Sequence, residues 1–323
     1  MMRRRHLLAL PLLAALPAPA LGQAPWPQRP VRIVVPFPPG GTTDILGRAL
    51  AAKWQEAWGQ QVVVENRAGG GGVTGTEAVF RAAPDGLTLV LGNNQTHAMN
   101  GALIPGLPYE IGGFAAATLV ARAPHALVVP ATSPARTVAE LIEIGRRPGR
   151  GLSYASSSAG SASHLLGDTF VRRNGLNATH IPYRGAAPAA QDLVAGVVDF
   201  SIATWAGVSA LAADGRLRAL AVGGDARYPE LPDVPTFREV GQDDAGADAW
   251  FGVFAPPGTP PAVLDRVYAA AAAALSDATL RGRLEAIGFR IETMAPTPFA
   301  AFYQAEVTRW GAMVRAAGVT ITN

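Results

Sequence analysis

The chain contains no cysteine among its 323 residues. That absence excludes disulfide bonds, thiolate metal ligands and a catalytic cysteine. Charged residues are also few, at 16% of the chain, while hydrophobic residues make up 49%. This balance is typical of a globular protein with a sizeable core, and it excludes an extensively disordered chain.

Histidine is scarce as well. Beyond the first residues the chain has four histidines, His97, His125, His164 and His180, and no two of them have the spacing of a metal-binding motif such as HExxH. A metal-dependent hydrolase would need such ligands. We therefore expect no metal and no other cofactor.

Long apolar runs are missing except at the N-terminus. MMRRR is basic, and HLLALPLLAALPAPALG is apolar and ends in small residues, which is typical of a secretory signal over residues 1–22. Cleavage is expected after Gly22, with Ala18-Pro19-Ala20 as an alternative site. No other run approaches the roughly 20 apolar residues of a membrane span. We expect a soluble, exported protein.

The signal also explains the nominal positive charge of the chain. It carries three arginines and no acidic residue, so removing it lowers Lys+Arg from 27 to 24, which equals the 24 Asp+Glu. A mature chain without net charge has no general attraction for nucleic acid. No nucleic-acid partner is expected.

Strand and helix patterns alternate along the chain. VRIVVPF, QVVVEN and LTLVLGN have the pattern of strands, and TTDILGRALAAKWQEAWG has that of an amphipathic helix. AATLVARAPHALVVP predicts two strands around a turn at Ala123-Pro124. This order predicts an α/β fold with mainly parallel sheets and helices on both faces.

The total of about ten strands exceeds what one open sheet usually holds, so two lobes are expected. The seams fall at Val129-Pro130 and near Trp250 to Ala255. They divide the chain into a first lobe of 23–129 plus 251–323 and an inserted second lobe of 130–250, with a ligand cleft between them.

The stretch PFPPGGTTDILGR follows the first strand and is the first candidate site. Gly40 and Gly41 let the backbone approach a ligand, Thr42 or Thr43 can cap the helix, and Asp44 lies in its first turn. A helix N-terminus placed after a strand favours an anion. The alternative is a turn and a helix cap without a ligand.

Two nucleotide-binding motifs fail on their residues. GGTTD has no lysine for a terminal phosphate, which a Walker loop needs, and it also lacks the Gly-x-Ser-x-Gly frame of a hydrolase nucleophile. The run Gly70 to Gly75 matches G-x-G-x-x-G, but the expected acidic residue about 20 positions on is absent. We interpret this run as glycines packed near the cleft.

A second candidate loop, YASSSAGSASH, repeats the order of strand, small residues and helix. Its hydroxyl groups include those of Ser158 and Ser161, Gly160 gives access to the backbone, and His164 is either a ligand contact or structural. A serine-rich turn without a ligand is the alternative. Ser161 and His164 also form the only pair that suggests an exported serine hydrolase, although no spacing ties a nucleophile to a base.

Further side chains follow other strands and complete a ring of loops. Arg184 follows ATHIPY and either pairs with a carboxylate or is a solvated surface residue. Trp205 follows VDFSIAT and either covers a ligand or packs in the core. Asn94, Thr96 and His97 follow LTLVLG.

Five motifs in this order resemble the solute receptors of tripartite tricarboxylate transporters, the Bug family of periplasmic binding proteins. They are WPQRPVRIVVPFPPGGTTDILGR, VVVENRAGGGGVTGTEAV, ASSSAGSASHL, HIPYRGAAPAAQDLVAG with VVDFSIA, and AFYQAEVTRWGAMVRAAGV. Together they span essentially the whole mature chain.

The resemblance implies a two-lobed type II periplasmic binding protein that encloses a small organic carboxylate. It implies a monomer that delivers the ligand to a membrane permease and catalyses no reaction; a sensor or scavenger without a permease is the alternative. The implied ligand-binding residues are Phe37, Gly40, Gly41, Thr42 and Asp44 in the first lobe, Ser158, Gly160, Ser161 and His164 in the second, and Asn94, Thr96, His97, Arg184 and Trp205 around the rest of the ligand.

Overall fold

The computed structural model describes residues 26–149, 151–224, 226–228 and 230–319. The predicted signal and both of its cleavage sites lie outside these residues. No helix within the described part is long and apolar enough to cross a membrane.

Ten strands and ten α-helices make up the described chain. The strands are β1 Val31–Val35, β2 Val62–Asn66, β3 Thr88–Asn93, β4 Ala115–Pro130, β5 Leu152–Ser156, β6 Ala178–Pro182, β7 Phe200–Thr204, β8 Leu217–Val222, β9 Asp248–Ala255 and β10 Arg290–Ile291. The helices are α1 Thr42–Trp58, α2 Val73–Phe80, α3 Asn100–Leu103, α4 Val138–Arg146, α5 Ala162–Asn174, α6 Ala186–Val194, α7 Ser209–Ala213, α8 Pro261–Ser276, α9 Ala278–Ala286 and α10 Pro296–Ala317.

The strands form two sheets that share β4. The first sheet has the order β2-β1-β3-β9-β4, with β10 also on β4, and the second joins β4 to β7, β5 and β6 on one side and to β8 on the other. Each sheet contains three parallel strands, β1 to β3 or β5 to β7. The remaining pairs are antiparallel because β4 and β9 run against their neighbours.

The prediction of two strands around Ala123-Pro124 is wrong, because β4 is one strand of 16 residues. It pairs with β9 as far as Pro124, and with β7 from His125 onward. Proline has a φ that an extended strand tolerates but no N–H to donate. Pro124 therefore lies where the strand changes partner instead of ending it.

The predicted lobe boundaries at 129 and 251 remain predictions. The change of partner along β4 occurs at Pro124, and the second connecting strand, β9, begins at Asp248. One apolar cluster includes side chains of both sheets, among them Phe254 beside β3 and Phe200 of β7, and the C-terminal helix α10 adds Trp310 to it. The two sheets thus share part of their core.

Candidate functional site

A cleft lies between the carboxyl ends of the parallel strands of the two sheets. Its empty volume is about 940 Å³, part of which is open solvent. Among the described residues its lining contains no Asp, Glu, Lys or Arg. The polar lining residues are Thr42, Thr43, Asn93, Asn94, Gln95, His125, Ser157, Ser161, Ser163, Ser201 and Thr204.

Five of the fourteen predicted site residues line this cleft: Phe37, Gly41, Thr42, Asn94 and Ser161. Their contact with a ligand stays a prediction. The other nine lie outside the lining: Gly40, Asp44, Thr96, His97, Ser158, Gly160, His164, Arg184 and Trp205. The hydrogen bonds, burial or exposure of each of these nine residues account for its position outside the lining.

The loop after β1 presents an uncapped helix N-terminus to the cleft. Helix α1 begins at Thr42, and its N-cap is Gly41, whose backbone is extended (φ −83°, ψ 170°) and which has no side chain to cap the helix. The prediction that a threonine caps α1 is therefore wrong, because Thr42 and Thr43 are its first helical residues. The unpaired N–H groups of the first turn remain able to bind an anion.

Asp44 holds this loop from behind instead of lining the cleft. Its carboxylate accepts hydrogen bonds from Gly40 N–H (2.9 Å), Arg48 Nε (2.9 Å) and Asn66 Nδ2 (2.8 Å). Burial raises the pKa of Asp44, but hydrogen bonds from Arg48, Gly40 and Asn66 outweigh burial, so the pKa is lowered. Asp44 is thus an ionised positioning residue, and Gly40 is turned toward it.

Asn66 is a loop-supporting residue that sequence reasoning missed. Its Nδ2 donates to Asp44 and also to the carbonyl of Phe37 at 3.1 Å. The signal in the sequence was a polar residue at the carboxyl end of β2, shortly before the glycine run. Asn66 ties β2 to both ends of the loop.

The glycine run lets a π-helical turn, Gln95–Met99, pack closely against it. A Cβ added at Gly72 would collide with the methyl group of Thr96, and one at Gly71 would lie 3.0 Å from Gln95 Nε2. The predicted packing role of these glycines is therefore seen in the structure. Gln95 in turn donates to Ser158 Oγ at 2.9 Å, which joins the two sides of the cleft. In that bond the hydroxyl oxygen of Ser158 is an acceptor.

The π-turn directs Thr96 and His97 into the core. His97 is fully buried, stacks on Phe254 with ring centroids 4.0 Å apart, and has Nδ1 2.8 Å from Thr96 Oγ1. Burial lowers the pKa of His97 to about 3. The prediction placed both residues on the ligand. A π-turn spaces side chains differently from an α-turn, and here it directs both of them away from the cleft. Asn93 and Gln95 line the cleft beside Asn94 instead.

The second loop is held by a network of serine hydroxyls. Ser161 caps α5 by accepting from His164 N–H (3.2 Å), donates to the carbonyl of Ser158 (2.7 Å) and lies 2.8 Å from Ser163 Oγ. Ser163 Oγ also accepts from Ser157 N–H at 3.0 Å. Ser157, Ser161 and Ser163 all line the cleft, whereas Gly160 supplies the left-handed turn (φ +70°) behind them.

His164 supports this loop from outside the cleft. Its Nδ1 accepts from Gly160 N–H at 3.0 Å, and its ring stacks on that of His180 with centroids 3.7 Å apart. Burial lowers the pKa of His164, and burial together with His164 lowers the pKa of His180 to about 4. What His164 gives Ser161 is a backbone N–H, which is not the arrangement of a base and a nucleophile.

Arg184 and Trp205 match the alternative readings of the sequence. Arg184 is exposed, as a solvated surface residue would be. Trp205 is 4% exposed and packs so closely on Gly288, before β10, that a Cβ there would collide with its ring. Trp205 therefore joins the two sheets through packing.

His125 is a lining residue that the sequence pattern missed. It is 2% exposed, has Nδ1 2.6 Å from the carbonyl of Ala247 and has Nε2 3.4 Å from Thr204 Oγ1. Burial lowers its pKa to about 4, although the bond to Ala247 opposes this. Its place inside an apolar strand gave no sign that β4 crosses the floor of the cleft.

No group of three or more His, Cys, Asp or Glu in the described part of the chain could hold a metal ion. The polar groups of the cleft are hydroxyls, amides, a neutral imidazole and helix N–H groups. This set suits hydrogen bonding to an anionic organic molecule.

Comparison with known proteins identifies relatives across this whole fold. The family model for the tripartite tricarboxylate transporter family receptor matches residues 46–319. Protein BugT of Bordetella pertussis is 36% identical over 299 residues, which cover 92% of this chain and 91% of BugT.

Solved structures agree with that match. The periplasmic binding protein BugD is 34% identical with a TM-score of 0.86, over 91% of this chain and 99% of BugD. The structure of Rpa4515 from R. palustris with adipate is 34% identical with a TM-score of 0.87, over 92% of this chain and 99% of Rpa4515. The predicted two-lobed α/β fold of a periplasmic binding protein is thereby confirmed.

Proposed function

The chain belongs to the tripartite tricarboxylate transporter receptor family and is a solute-binding receptor. On this basis we propose that, in the periplasm, it encloses a small organic carboxylate in the cleft and delivers it to a membrane permease. The observation that carries the ligand class is the uncapped N-terminus of α1 opposite the serine loop. The adipate bound to Rpa4515 supports the same class.

The carboxylate is proposed to lie between Gly41 and Thr42 on one side and Ser161 on the other. The bare terminus of α1 orients the anion without a cation, at up to about 2 kcal/mol for the terminus and roughly 1.5–3 kcal/mol for each charge-assisted hydrogen bond from its N–H groups. A micromolar complex needs about 8 kcal/mol net. Phe37 and the apolar wall around α6 are proposed to contribute the remainder through burial.

Delivery to a permease rests on the family description, and export rests on the predicted signal. The alternative is a receptor that senses or scavenges a carboxylate and has no permease. Reconstituted uptake by vesicles carrying a candidate permease distinguishes the two: uptake that needs this protein supports delivery, while tight binding without uptake supports the alternative.

The proposed ligand class is tested by calorimetric titration of the folded mature protein with a panel of aliphatic and aromatic carboxylates. Binding of at least one acid, and of none of the matched primary alcohols, is expected because the N–H groups at the N-terminus of α1 favour a negatively charged group. A folded protein that binds no acid of the panel contradicts the proposal.

A hydrolase is the least supported alternative. Ester turnover that disappears in Ser161→Ala would favour it, but the hydroxyl of Ser161 is engaged with Ser158 and Ser163. We propose that the protein releases its ligand unchanged.

A further inference from the structure

The cleft has two chemically different parts. We call the part lined by the N-terminus of α1 and the second loop its mouth, and the part lined by β4 and β7 its floor. At the mouth the donors are the first N–H groups of α1, whereas the hydroxyls of the second loop bond to one another and to the carbonyl of Ser158. The floor is formed by β4 and β7, where the polar lining residues are His125, Ser201 and Thr204. Whether each of these three side chains is a hydrogen-bond donor or an acceptor decides which chemical group at the far end of a ligand it can bind.

His125 presents a lone pair to the cleft. The ring nitrogen Nδ1 is 2.6 Å from the carbonyl oxygen of Ala247, which can only accept, so Nδ1 carries the proton and donates. A neutral imidazole then has Nε2 as an acceptor. The hydroxyl of Thr204 donates to Nε2 at a long 3.4 Å, so a better-placed donor of a ligand can take its place.

Ser201 adds a second acceptor. Its hydroxyl donates to the carbonyl of Ala155 at 2.9 Å, so its proton is used within the sheet and its oxygen lone pairs remain. The wall beside these groups is apolar and includes Ala190, Leu193 and Val208. A carboxylate placed here would meet two sets of lone pairs, hydrocarbon and the hydroxyl of Thr204 as its donor among these three side chains, and no described lining residue offers a cation.

We propose that this receptor selects acids with a single carboxylate whose far end carries an uncharged hydrogen-bond donor, such as an amide or a hydroxyl, and that His125 is the residue that sets this preference. The inference rests on the proposed function, because the single carboxylate is taken to occupy the mouth of the cleft. It separates this chain from Rpa4515, whose structure contains the dicarboxylate adipate.

The test compares diacids with their half-amides, which have the same length and shape but one charge fewer. The pairs are succinate and succinamate, glutarate and glutaramate, adipate and adipamate, and terephthalate and 4-carbamoylbenzoate, each titrated by calorimetry at neutral pH. In every pair that binds, the half-amide should bind at least about tenfold more tightly, because a site built for one polar partner rejects a mismatched one.

The role of His125 is tested with His125→Asn, in which the amide nitrogen replaces Nδ1 as donor to Ala247 while Nε2 is lost. The affinity for the best half-amide should fall about three- to tenfold, which is the loss of one neutral hydrogen bond. The affinity for the alkyl monoacid of the same carbon number should change less than about twofold. Equal losses for both ligands contradict the assignment to His125.

The outcomes separate this inference from the proposed function. A wild-type protein that binds a diacid as tightly as its half-amide overturns the inference and leaves the function standing. A folded protein that binds no acid overturns both.

Discussion

At the scale of single residues, Asp44 lies beside the proposed anion site but is turned away from it. Its carboxylate accepts hydrogen bonds from groups of the loop and its supports: Gly40, Arg48 and Asn66. A carboxylate aimed at the cleft would repel the ligand, whereas one directed behind the loop orders it. The family resemblance implied that Asp44 contacts the ligand, but a single sequence has no signal for the direction of its carboxylate.

Asp44→Asn should destabilise the protein by about 1.5–3 kcal/mol, because one acceptor and the charge that Arg48 and Gly40 share are lost. Carboxylate affinity should fall at least about tenfold, since the loop is no longer held in one arrangement. Chemical denaturation and calorimetry measure the two effects.

Asp277→Asn is the matched control for this change. Asp277 also accepts from a backbone N–H, that of Leu280, and from a cation, Lys53, but it caps α9 and is absent from the cleft lining. Its replacement should leave ligand affinity unchanged. Equal loss of binding in both variants would contradict the positioning role of Asp44.

Gly41 allows steric access to the anion site to be tested separately from folding. Its φ of −83° suits any residue, and an added Cβ would have only the carbonyl oxygen of Pro38 nearby, at 3.8 Å. Gly41→Val should therefore cost no more than about 1 kcal/mol of stability, chiefly through the poorer N-cap. Carboxylate binding should fall at least about tenfold because the branched side chain fills the approach to α1.

The control for Gly41→Val is Gly282→Val on the exposed face of α9, where an added Cβ meets nothing within 4 Å. Thermal unfolding and calorimetry are measured for both variants. Retained affinity in a folded Gly41→Val protein would show that the ligand does not approach this backbone.

At the scale of elements, the two loops at the mouth were predictable, while the π-turn and β4 were not. Glycine and serine runs directly after apolar strands identify the loops, because few other residues allow a close backbone approach. The π-turn has the composition of any polar loop. The sequence therefore has no signal for the π-helical geometry that directs His97 into the core. Strand β4 contains Ala-Pro within an apolar run, and only its change of partner at Pro124 explains why the chain does not turn there.

The contact between Gln95 and Ser158 gives a direct measure of how the π-turn engages the second loop. The 2.9 Å bond links residues on opposite sides of the cleft. Gln95→Ala and Ser158→Ala should each weaken ligand binding, and the double variant should be less than additive, with a coupling energy of about 0.5–1.5 kcal/mol.

The coupling is measured as a double-mutant cycle on the dissociation constant of the best acid of the panel. Ser276→Ala, whose hydroxyl donates to the carbonyl of Ala273 far from the cleft, serves as the control partner for Gln95→Ala. That pair should be additive. Full additivity for Gln95 and Ser158 would mean that the contact does not contribute to the liganded state.

At the scale of the whole molecule, buried histidines predict how stability depends on pH. Burial lowers the pKa of His97 to about 3 and of His125 to about 4, from an ordinary value of 6.5. The unfolded chain therefore binds more protons than the folded one below pH 6.5. The contribution of these neutral histidines to the free energy of unfolding is fully present above that pH. It is lost as the pH falls toward 4, by up to about 1.4 kcal/mol per pH unit for each histidine.

Urea denaturation at pH 7, 6, 5 and 4.5 measures this slope. His97→Phe should flatten it, because phenylalanine retains the stack on Phe254 but does not titrate in this range. An identical slope in this variant would assign the acid sensitivity to other groups.

The shared strand β4 has a mechanical consequence. Any opening of the cleft rotates one sheet against the other, and a strand that is bonded into both can follow only by torsion near Pro124, where it passes from β9 to β7. His125 is the next residue, and it lines the floor of the cleft. The group that touches the far end of a ligand is therefore also next to the pivot, so occupancy of the floor and stiffness of the joint are expected to change together.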